Sequence, residues 1–470
     1  MKTPRRSLRR ERTPVVKHHT HIIVAAAVVV LLVASSIAVR RVKAEESHSV
    51  VTFSDSAGEF RTVNVNGDFD LQNPFFRELG TNGRACVTCH QPDEGWTVTP
   101  EGIRRRFDQT RGLDPIFRAN DGSNCDGADI SSLPKRRRAF SLLLDRAVIR
   151  VGITVPDDAE FVVERVDDPY YCDAPGNTVS MYRRPLPSTN LTFLSAVMWD
   201  GREPDLATQA DDATMGHAQA AHHLSPEQAH EIVVFETGLY TAQSEVKHAG
   251  SLSAAGATGG PFALSQQPFY IGINDPVGLN PAGVPFDENV FTLFGAWSHD
   301  EGHGSRHRSR QAIVRGEQLF NTKPITLSGV AGLNGQTFGS ITLPQSFVGT
   351  CTICHDTPNS GNHSVKAPLN IGLADASRRT PDMPLYTLRH KMTGATVQTT
   401  DPGRAMISGK WQDVGKFKGP ILRGLAARAP YFHNGSAATL DDVVEFYDTR
   451  FNIGLTDDEK ADLIAFLRAL

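Results

Sequence analysis

One five-residue motif occurs twice in this chain and constrains it more than any other feature. Residues 86–90 read CVTCH, and residues 351–355 read CTICH. With 6 Cys and 17 His in 470 residues, random placement would give roughly 0.003 copies of Cys-x-x-Cys-His. The motif is the attachment signature of c-type haem, in which two thiols bond the haem vinyl groups and the histidine becomes an axial ligand.

The chain is therefore predicted to carry two covalently bound c-type haems. The alternatives are a zinc knuckle and a thioredoxin-like redox pair. Zinc would need two further ligands close to each cysteine pair, and the sequence around the motifs offers none. The predicted haem-binding residues are Cys86, Cys89 and His90 for the first haem, and Cys351, Cys354 and His355 for the second.

The first 44 residues differ in composition from the rest of the chain. They hold ten of the 48 basic residues but one of the 52 acidic residues, and residues 22–39 carry no charge. A basic segment followed by an uncharged, mainly apolar run is typical of a membrane-targeting helix. Arg40 and Arg41 directly after the apolar run favour a membrane anchor that is not cleaved. Residues 42–44, which end in Ala44, would instead suit cleavage of a signal peptide. Either way, we expect the body in the periplasm, tethered to the inner membrane or released.

The remaining residues form an acidic body with 38 basic and 51 acidic side chains. This balance argues against nucleic acid as a partner and suits an exported domain that meets a basic electron carrier. Cys125 and Cys172 lie outside the haem motifs. In an oxidising compartment they are predicted to form a disulfide, with two unbonded thiols as the alternative.

Helix signals outnumber strand signals along the chain. Helices are expected at residues 132–148 and 311–320, and no strand pattern is convincing. We predict a mainly α fold with two cytochrome c-like haem domains and long loops, after a membrane-targeting helix in residues 1–44. The first haem domain is residues 45–300, with a loop-rich insert, and the second is residues 301–470. Capping pairs predict three further helix starts: Ser225 with Gln228, Thr439 with Asp442, and Thr456 with Glu459.

Three segments resemble the bacterial di-haem cytochrome c peroxidases, a family that includes MauG. Residues 198–202 read MWDGR and precede Gln209, residues 417–424 read FKGPILRG, and residues 429–436 read APYFHNGS. Their order relative to the haem motifs is also that of the family. The resemblance implies an oxidoreductase that reduces hydrogen peroxide at the first haem. The second haem would relay electrons from a periplasmic donor, such as a small cytochrome or a cupredoxin.

The resemblance also assigns residues around the second haem. Trp199 would lie between the haems as a relay. Tyr447 stands where the peroxidases have a methionine ligand, and MauG has tyrosine at this position. Met406 as the sixth ligand and the absence of any protein ligand are the alternatives. A phenolate stabilises ferric iron more than a thioether does, so Tyr447 should lower the potential.

The distal pocket of the first haem departs from the family. Gln209 matches the family glutamine, but Ala213 replaces the proline, and Gln219 replaces the glutamate that moves the proton. A neutral amide cannot act as a general base. His217 is the nearest titratable residue, and it would serve as a base, as an iron ligand or as a structural residue.

The sequence is also compatible with two other functions. One is a MauG-like oxidase that acts on a protein or organic substrate, and the other is a non-catalytic electron-transfer cytochrome with both irons six-coordinate. The resemblance also implies calcium between the domains, and Arg428 and Pro430 match two of its backbone positions. Whether the chain forms a homodimer also stays open.

Overall fold

Groups of helices and groups of mostly short strands follow one another along the described residues. The computed structural model describes residues 49–172 and 177–470. The α-helices are α1 (Pro100–Thr110), α2 (Leu133–Ala139), α3 (Ser141–Arg146), α4 (Leu206–Gly216), α5 (Pro226–Gly238), α6 (Pro261–Ser265), α7 (Ser305–Thr322), α8 (Ala405–Ser408), α9 (Leu440–Phe451) and α10 (Asp457–Arg468). The strands are β1 (Ser49–Ser54), β2 (Gly58–Asn64), β3 (Ile149–Thr154), β4 (Phe161–Asp167), β5 (Thr178–Arg183), β6 (Leu239–Val246), β7 (Gly250–Ser251), β8 (Ile325–Ser328), β9 (Thr337–Phe338), β10 (Ile341–Thr342), β11 (Ser346–Gly349), β12 (Leu385–His390) and β13 (Thr396–Thr399). Short 3₁₀ turns lie at Pro74–Phe76, Cys86–Thr88, Pro92–Glu94, Leu191–Phe193, Gly295–His299, Cys351–Ile353, Ala376–Arg378, Trp411–Asp413 and Leu425–Ala427.

The strands form several small antiparallel sheets. The largest has the order β1-β2-β6-β7, and a three-stranded sheet has the order β13-β12-β4. The pairs β3–β5, β8–β11 and β9–β10 form two-stranded sheets. In the three-stranded sheet, Leu385 of β12 lies opposite Asp167 of β4. Strand β4 precedes the predicted domain boundary near residue 300 and strand β12 follows it, so this sheet pairs strands from both predicted domains. The boundary itself stays a prediction.

The predicted helix starts follow their capping signals. At α5, Ser225 Oγ accepts from the Gln228 N–H at 3.2 Å, and Gln228 Oε1 accepts from the Ser225 N–H at 3.0 Å. Such reciprocal bonds satisfy donors that the first helical turn leaves without partners. The same arrangement begins two other helices: Thr439 with Asp442 at α9, and Thr456 with Glu459 at α10.

Helices α7 and α10 pack closely behind the second haem motif. A Cβ at Gly316 would lie 2.0 Å from the Asp462 carbonyl oxygen, so the close approach of these helices requires glycine. Phe320 of α7 and Phe466 of α10 belong to one buried cluster, with ring centroids 5.7 Å apart. The Phe320 ring lies 5.9 Å from the His355 ring, so this helix pair supports the motif histidine.

The prediction of a mainly α fold is wrong. Helices make up 31% of the structure and strands 18%, in several sheets. Strand β6 shows why the pattern was missed, because its first six residues are all buried and no polar–apolar alternation marks them. Its polar side chains bond inside the protein: Thr241 Oγ1 lies 2.7 Å from Thr62 Oγ1, and Gln243 Nε2 donates to Asp55 at 3.1 Å.

Two predicted helices differ from the structure in extent. Residues 132–148 form two helices, α2 and α3, which meet at Phe140, and the chain then enters β3. The helix predicted to start at Ser225 ends at Gly238, and Leu239 begins β6. The helix predicted at residues 311–320 is the central part of α7.

The predicted membrane-targeting helix lies in residues 1–44, outside the described residues. Within the two ranges that the structure describes, no helix is long and apolar enough to cross a membrane. The membrane-targeting function of the N-terminal segment therefore stays a prediction.

The predicted disulfide between Cys125 and Cys172 is confirmed. It closes part of the loop-rich stretch that follows the first haem motif. The adjacent Asn124 carbonyl accepts a hydrogen bond from the Tyr182 hydroxyl, which ties the bridge to strand β5. The four cysteines of the two haem motifs form no disulfide.

Candidate haem sites

The first motif folds as one 3₁₀ turn. The N–H groups of Cys89 and His90 both donate to the Cys86 carbonyl oxygen, each at 3.1 Å. Thr88 Oγ1 accepts from the Ala85 N–H at 3.0 Å, which closes the turn at its start. These local bonds hold both cysteines and the histidine together, and all three line the first cavity.

The second motif repeats this geometry. The N–H groups of Cys354 and His355 donate to the Cys351 carbonyl oxygen at 3.3 Å and 3.2 Å. Thr350 Oγ1 accepts from the Thr352 N–H at 3.3 Å. Both cysteines and the histidine line the second cavity. Equal spacing in the two motifs thus produces the same local structure.

Both motif histidines are oriented by the backbone carbonyl six residues later. His90 Nδ1 lies 3.1 Å from the Trp96 oxygen, and His355 Nδ1 lies 2.6 Å from the Gly361 oxygen. A bond at Nδ1 would leave Nε2 of each ring to bind a haem iron. Burial lowers the pKa of His90 to about 4 and also lowers the pKa of His355. Both imidazoles are therefore neutral, as a metal ligand requires.

The first cavity receives two of the three predicted distal residues. Gln209 of α4 and His217, which caps that helix, line it. Gln219 is exposed instead, and its Oε1 accepts from Asn82 Nδ2 at 3.2 Å. The amide at the position of the family's acid therefore lies outside the cavity.

His217 is held by a buried network that the sequence did not indicate. Its Nδ1 lies 2.5 Å from Asp121 Oδ2, and Arg84 Nη1 donates to Asp121 Oδ1 at 2.6 Å. Asp121 and Arg84 are 5% and 2% exposed. Burial alone would raise the pKa of Asp121, but the hydrogen bond and charge of His217 and the charge of Arg84 outweigh it and lower that pKa. An ionised Asp121 therefore orients the imidazole and leaves its Nε2 for the cavity.

A second titratable group of the first cavity was also missed. Glu236 of α5 is 5% exposed and lines the cavity. Burial raises the pKa of Glu236 to about 8, and its Oε2 has no hydrogen-bond partner among the described residues. Burial raises the pKa of the Cys86 thiol, and the charge of Glu236, which lies nearby, raises it further. Nothing in the sequence of α5 distinguishes this glutamate from a surface acid.

Trp199 lines both cavities. Its Nε1 donates to the Arg184 carbonyl at 2.8 Å, and its own carbonyl accepts from the Lys418 N–H at 2.9 Å. The next residue, Asp200, is fully buried and pairs with Arg183 at 2.5 Å. The loop that carries the predicted relay residue is thus anchored in the wall between the cavities.

Tyr447 of α9 lines the second cavity with the motif residues. Burial raises the pKa of its hydroxyl, and the charges of Cys354 and Cys351 raise it further, so the hydroxyl lies close to the motif cysteines. Met406 is 1% exposed and packs in a core cluster around Phe161 instead. It does not line the second cavity. The structure therefore brings Tyr447, and not Met406, to the site, while ligation itself stays a prediction.

The two cavities fit the predicted cofactors. Each combines a half-buried cysteine pair, a neutral histidine and mainly apolar walls, with about 1510 Å³ and 1770 Å³ of unfilled space that includes part of the opening. No group of three or more His, Cys, Asp or Glu that could hold a metal ion occurs in the part of the chain described here. The carbonyl of Arg428, predicted at a calcium position, accepts from Arg184 Nη2 at 3.1 Å, and calcium stays a prediction.

Comparison with known proteins supports the family indicated by the motifs. Over 135 residues the chain is 36% identical to cytochrome-c peroxidase IdrP2 of Denitromonas iodatirespirans, covering 26% of this chain and 36% of the relative. Over 76 residues it is 38% identical to cytochrome c551 peroxidase of Nitrosomonas europaea, covering 16% and 23%. The resemblance is thus confirmed over these segments: the chain is similar to bacterial cytochrome c peroxidases, and this similarity implies haem as a cofactor.

These matches have a limited extent. The chain spans about a third or less of the length of these curated relatives. No protein-family model matches it. A solved MauG-like protein associated with microbial copper homeostasis is 18% identical and superimposes with a TM-score of 0.33, covering 62% of this chain and 74% of that protein. That score is too low to establish a common fold.

Proposed function

We propose that this chain is a di-haem c-type oxidoreductase that reduces hydrogen peroxide to water. The reaction consumes one peroxide, two protons and two electrons, and it releases two water molecules. When bound, the two haems supply the iron chemistry that receives and delivers the electrons. The residues of the chain hold these groups, exclude water and position the protons.

The observation that carries this proposal is the wall between the two cavities. Each cavity has a complete attachment motif, and Trp199 lines both of them. Its indole is held by the 2.8 Å bond to the Arg184 carbonyl, so the ring is fixed between the two sites. Peroxide reduction needs two electrons at one site, and a second haem site on the other side of Trp199 would supply electrons to it.

The proton chemistry belongs to the first cavity. Cleavage of an O–O bond needs a group that takes a proton from one oxygen and gives it to the other. His217 lines this cavity, and Asp121 at 2.5 Å from Nδ1 directs Nε2 inward. Gln209 lines the same cavity and offers an amide that would orient the peroxide by hydrogen bonding.

Two features favour a second function, a MauG-like oxidase of a protein or organic substrate. Gln219, at the position of the peroxidase acid, is neutral and lies outside the cavity, and Tyr447 lines the second cavity where a peroxidase would present methionine. This combination would slow peroxide turnover and favour a longer-lived oxidised protein. The non-catalytic carrier is the third function, and it would require His217 to close the first site.

We also propose a periplasmic location, with the N-terminal segment as anchor or signal. The Cys125–Cys172 disulfide suits an oxidising compartment. The acidic balance beyond residue 44 suits a basic electron donor, such as a small cytochrome or cupredoxin.

The test begins with the whole protein purified from a host with haem-ligation machinery. Mass spectrometry should show two attached haems, and the ferric visible and EPR spectra should show a high-spin signal from an open first site. Hydrogen peroxide should then oxidise the half-reduced protein, with two electrons consumed per peroxide. One haem, or bound zinc, would overturn the proposal, and two purely low-spin haems without peroxide reaction would favour the carrier.

Replacement of Trp199 tests the shared wall directly. Trp199→Phe should leave both haem spectra nearly intact but slow electron transfer between the sites after peroxide addition, by roughly tenfold, because the indole that spans the wall is lost. Trp411→Phe is the matched control, since Trp411 packs against His390 and lines neither cavity. Unchanged transfer in Trp199→Phe would make this residue a packing residue.

A further inference from the structure

Three cationic side chains stand in the wall that divides the two cavities. Arg184, Lys418 and Arg428 each line both cavities, as Trp199 does. Arg184 is 5% exposed, and the other two are partly buried. We call these three residues the shared basic wall. No acidic residue lines the second cavity in the described ranges, and Glu236 is the acid that lines the first.

The shared basic wall has no anionic partner in the described part of the chain. None of its members forms an ion pair within 4.0 Å. Arg184 donates to the carbonyls of Val98 at 2.8 Å and Arg428 at 3.1 Å, and Arg428 Nε has no hydrogen-bond partner. The charge that acts on the Lys418 ammonium is that of Arg428, another cation. Carbonyl dipoles alone are weak compensation for three charges taken out of water.

The charges also disfavour one another. Burial, followed by the charge of Arg428, lowers the pKa of Lys418 to about 7 and that of Arg184 to about 9. Burial lowers the pKa of Arg428 to about 10. Buried charges persist in proteins when an opposite charge compensates them, so the shared basic wall is incomplete without an anion.

Neighbouring cations show that the chain supplies carboxylates where it needs them. Arg183, directly before Arg184, pairs with Asp200 at 2.5 Å and Asp401 at 2.7 Å. Lys416, two residues before Lys418, pairs with Asp413 at 3.0 Å. The contrast within one or two residues indicates that the anions for the shared basic wall come from the molecules that fill the cavities.

Haem carries anionic groups at the edge that lies away from its attachment to the cysteines. The cysteines take the vinyl edge of each haem, and the two propionate carboxylates project from the opposite edge. The charges that act on the thiols come from elsewhere: Glu236 and Cys89 act on Cys86, while Asp356 and Cys351 act on Cys354. The shared basic wall is not among the charges that act on the four motif thiols, as expected for a cluster on the propionate side.

We propose that the shared basic wall binds one propionate carboxylate from each of the two haems, so that one cluster holds and tunes both cofactors. This inference rests on the proposed di-haem function. Positive charge beside a propionate disfavours ferric iron, which carries one more positive charge than ferrous iron. Removal of one cation from the wall should therefore lower the midpoint potentials of both haems together.

The experiment is a potentiometric titration of the holoprotein with Lys418→Met. Both midpoint potentials should fall, because each haem loses a positive charge several ångströms away. For each haem, the equilibrium constant for reduction should decrease roughly tenfold. Lys416→Met is the matched control because it removes a buried lysine from the same segment whose charge Asp413 already neutralises. It should leave both potentials unchanged.

Two further variants separate charge from packing. Lys418→Arg keeps the charge and should retain both potentials, and Arg428→Gln should lower both, as Lys418→Met does. If only one potential moves, or neither moves while two haems are attached by mass, the shared propionate site is wrong and the di-haem proposal stands. If the mass shows no haem in the unaltered protein, the function proposed above fails instead.

Discussion

The first cavity contains titratable groups that the second lacks, although the two have the same motif and share a wall. In the first, His217 is bonded to a buried, ionised Asp121, and Glu236 is a carboxyl whose pKa burial raises to about 8. The second has Tyr447 and His433. The His433 ring stacks on Phe417 at 4.1 Å, burial lowers its pKa to about 4, and neither ring nitrogen has a hydrogen-bond partner among the described residues.

This difference teaches that the attachment motif alone does not decide what a haem site does. Proton transfer needs a base with a partner that fixes its tautomer, and the first cavity has one. A buried imidazole without a hydrogen bond and a tyrosine in apolar surroundings do not move protons readily. We therefore assign proton chemistry to the first cavity and electron storage to the second, and four experiments test that assignment.

The largest effect is expected from the cysteines. Replacement of Cys86 and Cys89 by alanine should remove the first haem completely and leave the second, because each motif closes through its own local hydrogen bonds. Replacement of Cys351 and Cys354 should do the reverse. Mass spectrometry of the intact protein measures both outcomes. Loss of both haems from either double variant would show that the cavities do not form independently.

His217→Ala should slow the reaction with peroxide by about 10²–10⁴-fold, the usual contribution of a general acid–base group, while haem content is retained. His223→Ala is the control, because this exposed histidine also has an aspartate partner, Asp211 at 2.7 Å, but does not line the cavity. Stopped-flow mixing with peroxide measures both rates. Conversion of a low-spin to a high-spin haem with a faster reaction would instead identify His217 as an iron ligand.

Tyr447→Phe should raise the midpoint potential of the second haem, because the oxygen that stabilises ferric iron is lost. The equilibrium constant for reduction of this haem should increase roughly tenfold, and its low-spin spectrum should change. The first haem should not change. Met406→Leu, in the core cluster around Phe161, should leave both potentials as they were. The opposite result for these two variants would show that the second site is ligated as in an ordinary cytochrome.

The smallest effect is expected for Asp121→Asn, measured by urea unfolding between about pH 3 and pH 7. The pKa of Asp121 is depressed on folding, so its contribution exists above its ordinary value of 3.8 and disappears as the pH falls through the folded value. At neutral pH, the free energy of unfolding should be about 1–3 kcal/mol lower in the variant than in the unaltered protein. As the pH falls, the unfolding free energy of the variant should decrease less than that of the unaltered protein. Asp211→Asn, which breaks the exposed pair with His223, should cost less than about 1 kcal/mol.

Much of the local structure could be predicted from the sequence. The spacing of each Cys-x-x-Cys-His motif determines a 3₁₀ turn whose hydrogen bonds span at most four residues, and the capping pairs of α5, α9 and α10 span three. Such contacts form between neighbours in the chain, so a short pattern contains all the groups involved. The same holds for the Trp-Asp-Gly-Arg segment that indicated the family and located Trp199.

The rest was decided by tertiary structure. Asp121 meets His217 across 96 residues, and Arg184 meets the Arg428 carbonyl across 244. Buried strands such as β6 lose the alternation that marks a strand with one exposed face. Whether Gln219 or Glu236 faces the first cavity depends on how α4 and α5 pack. A pattern of neighbouring residues contains no information on such contacts, because they form only when the whole chain closes around its core.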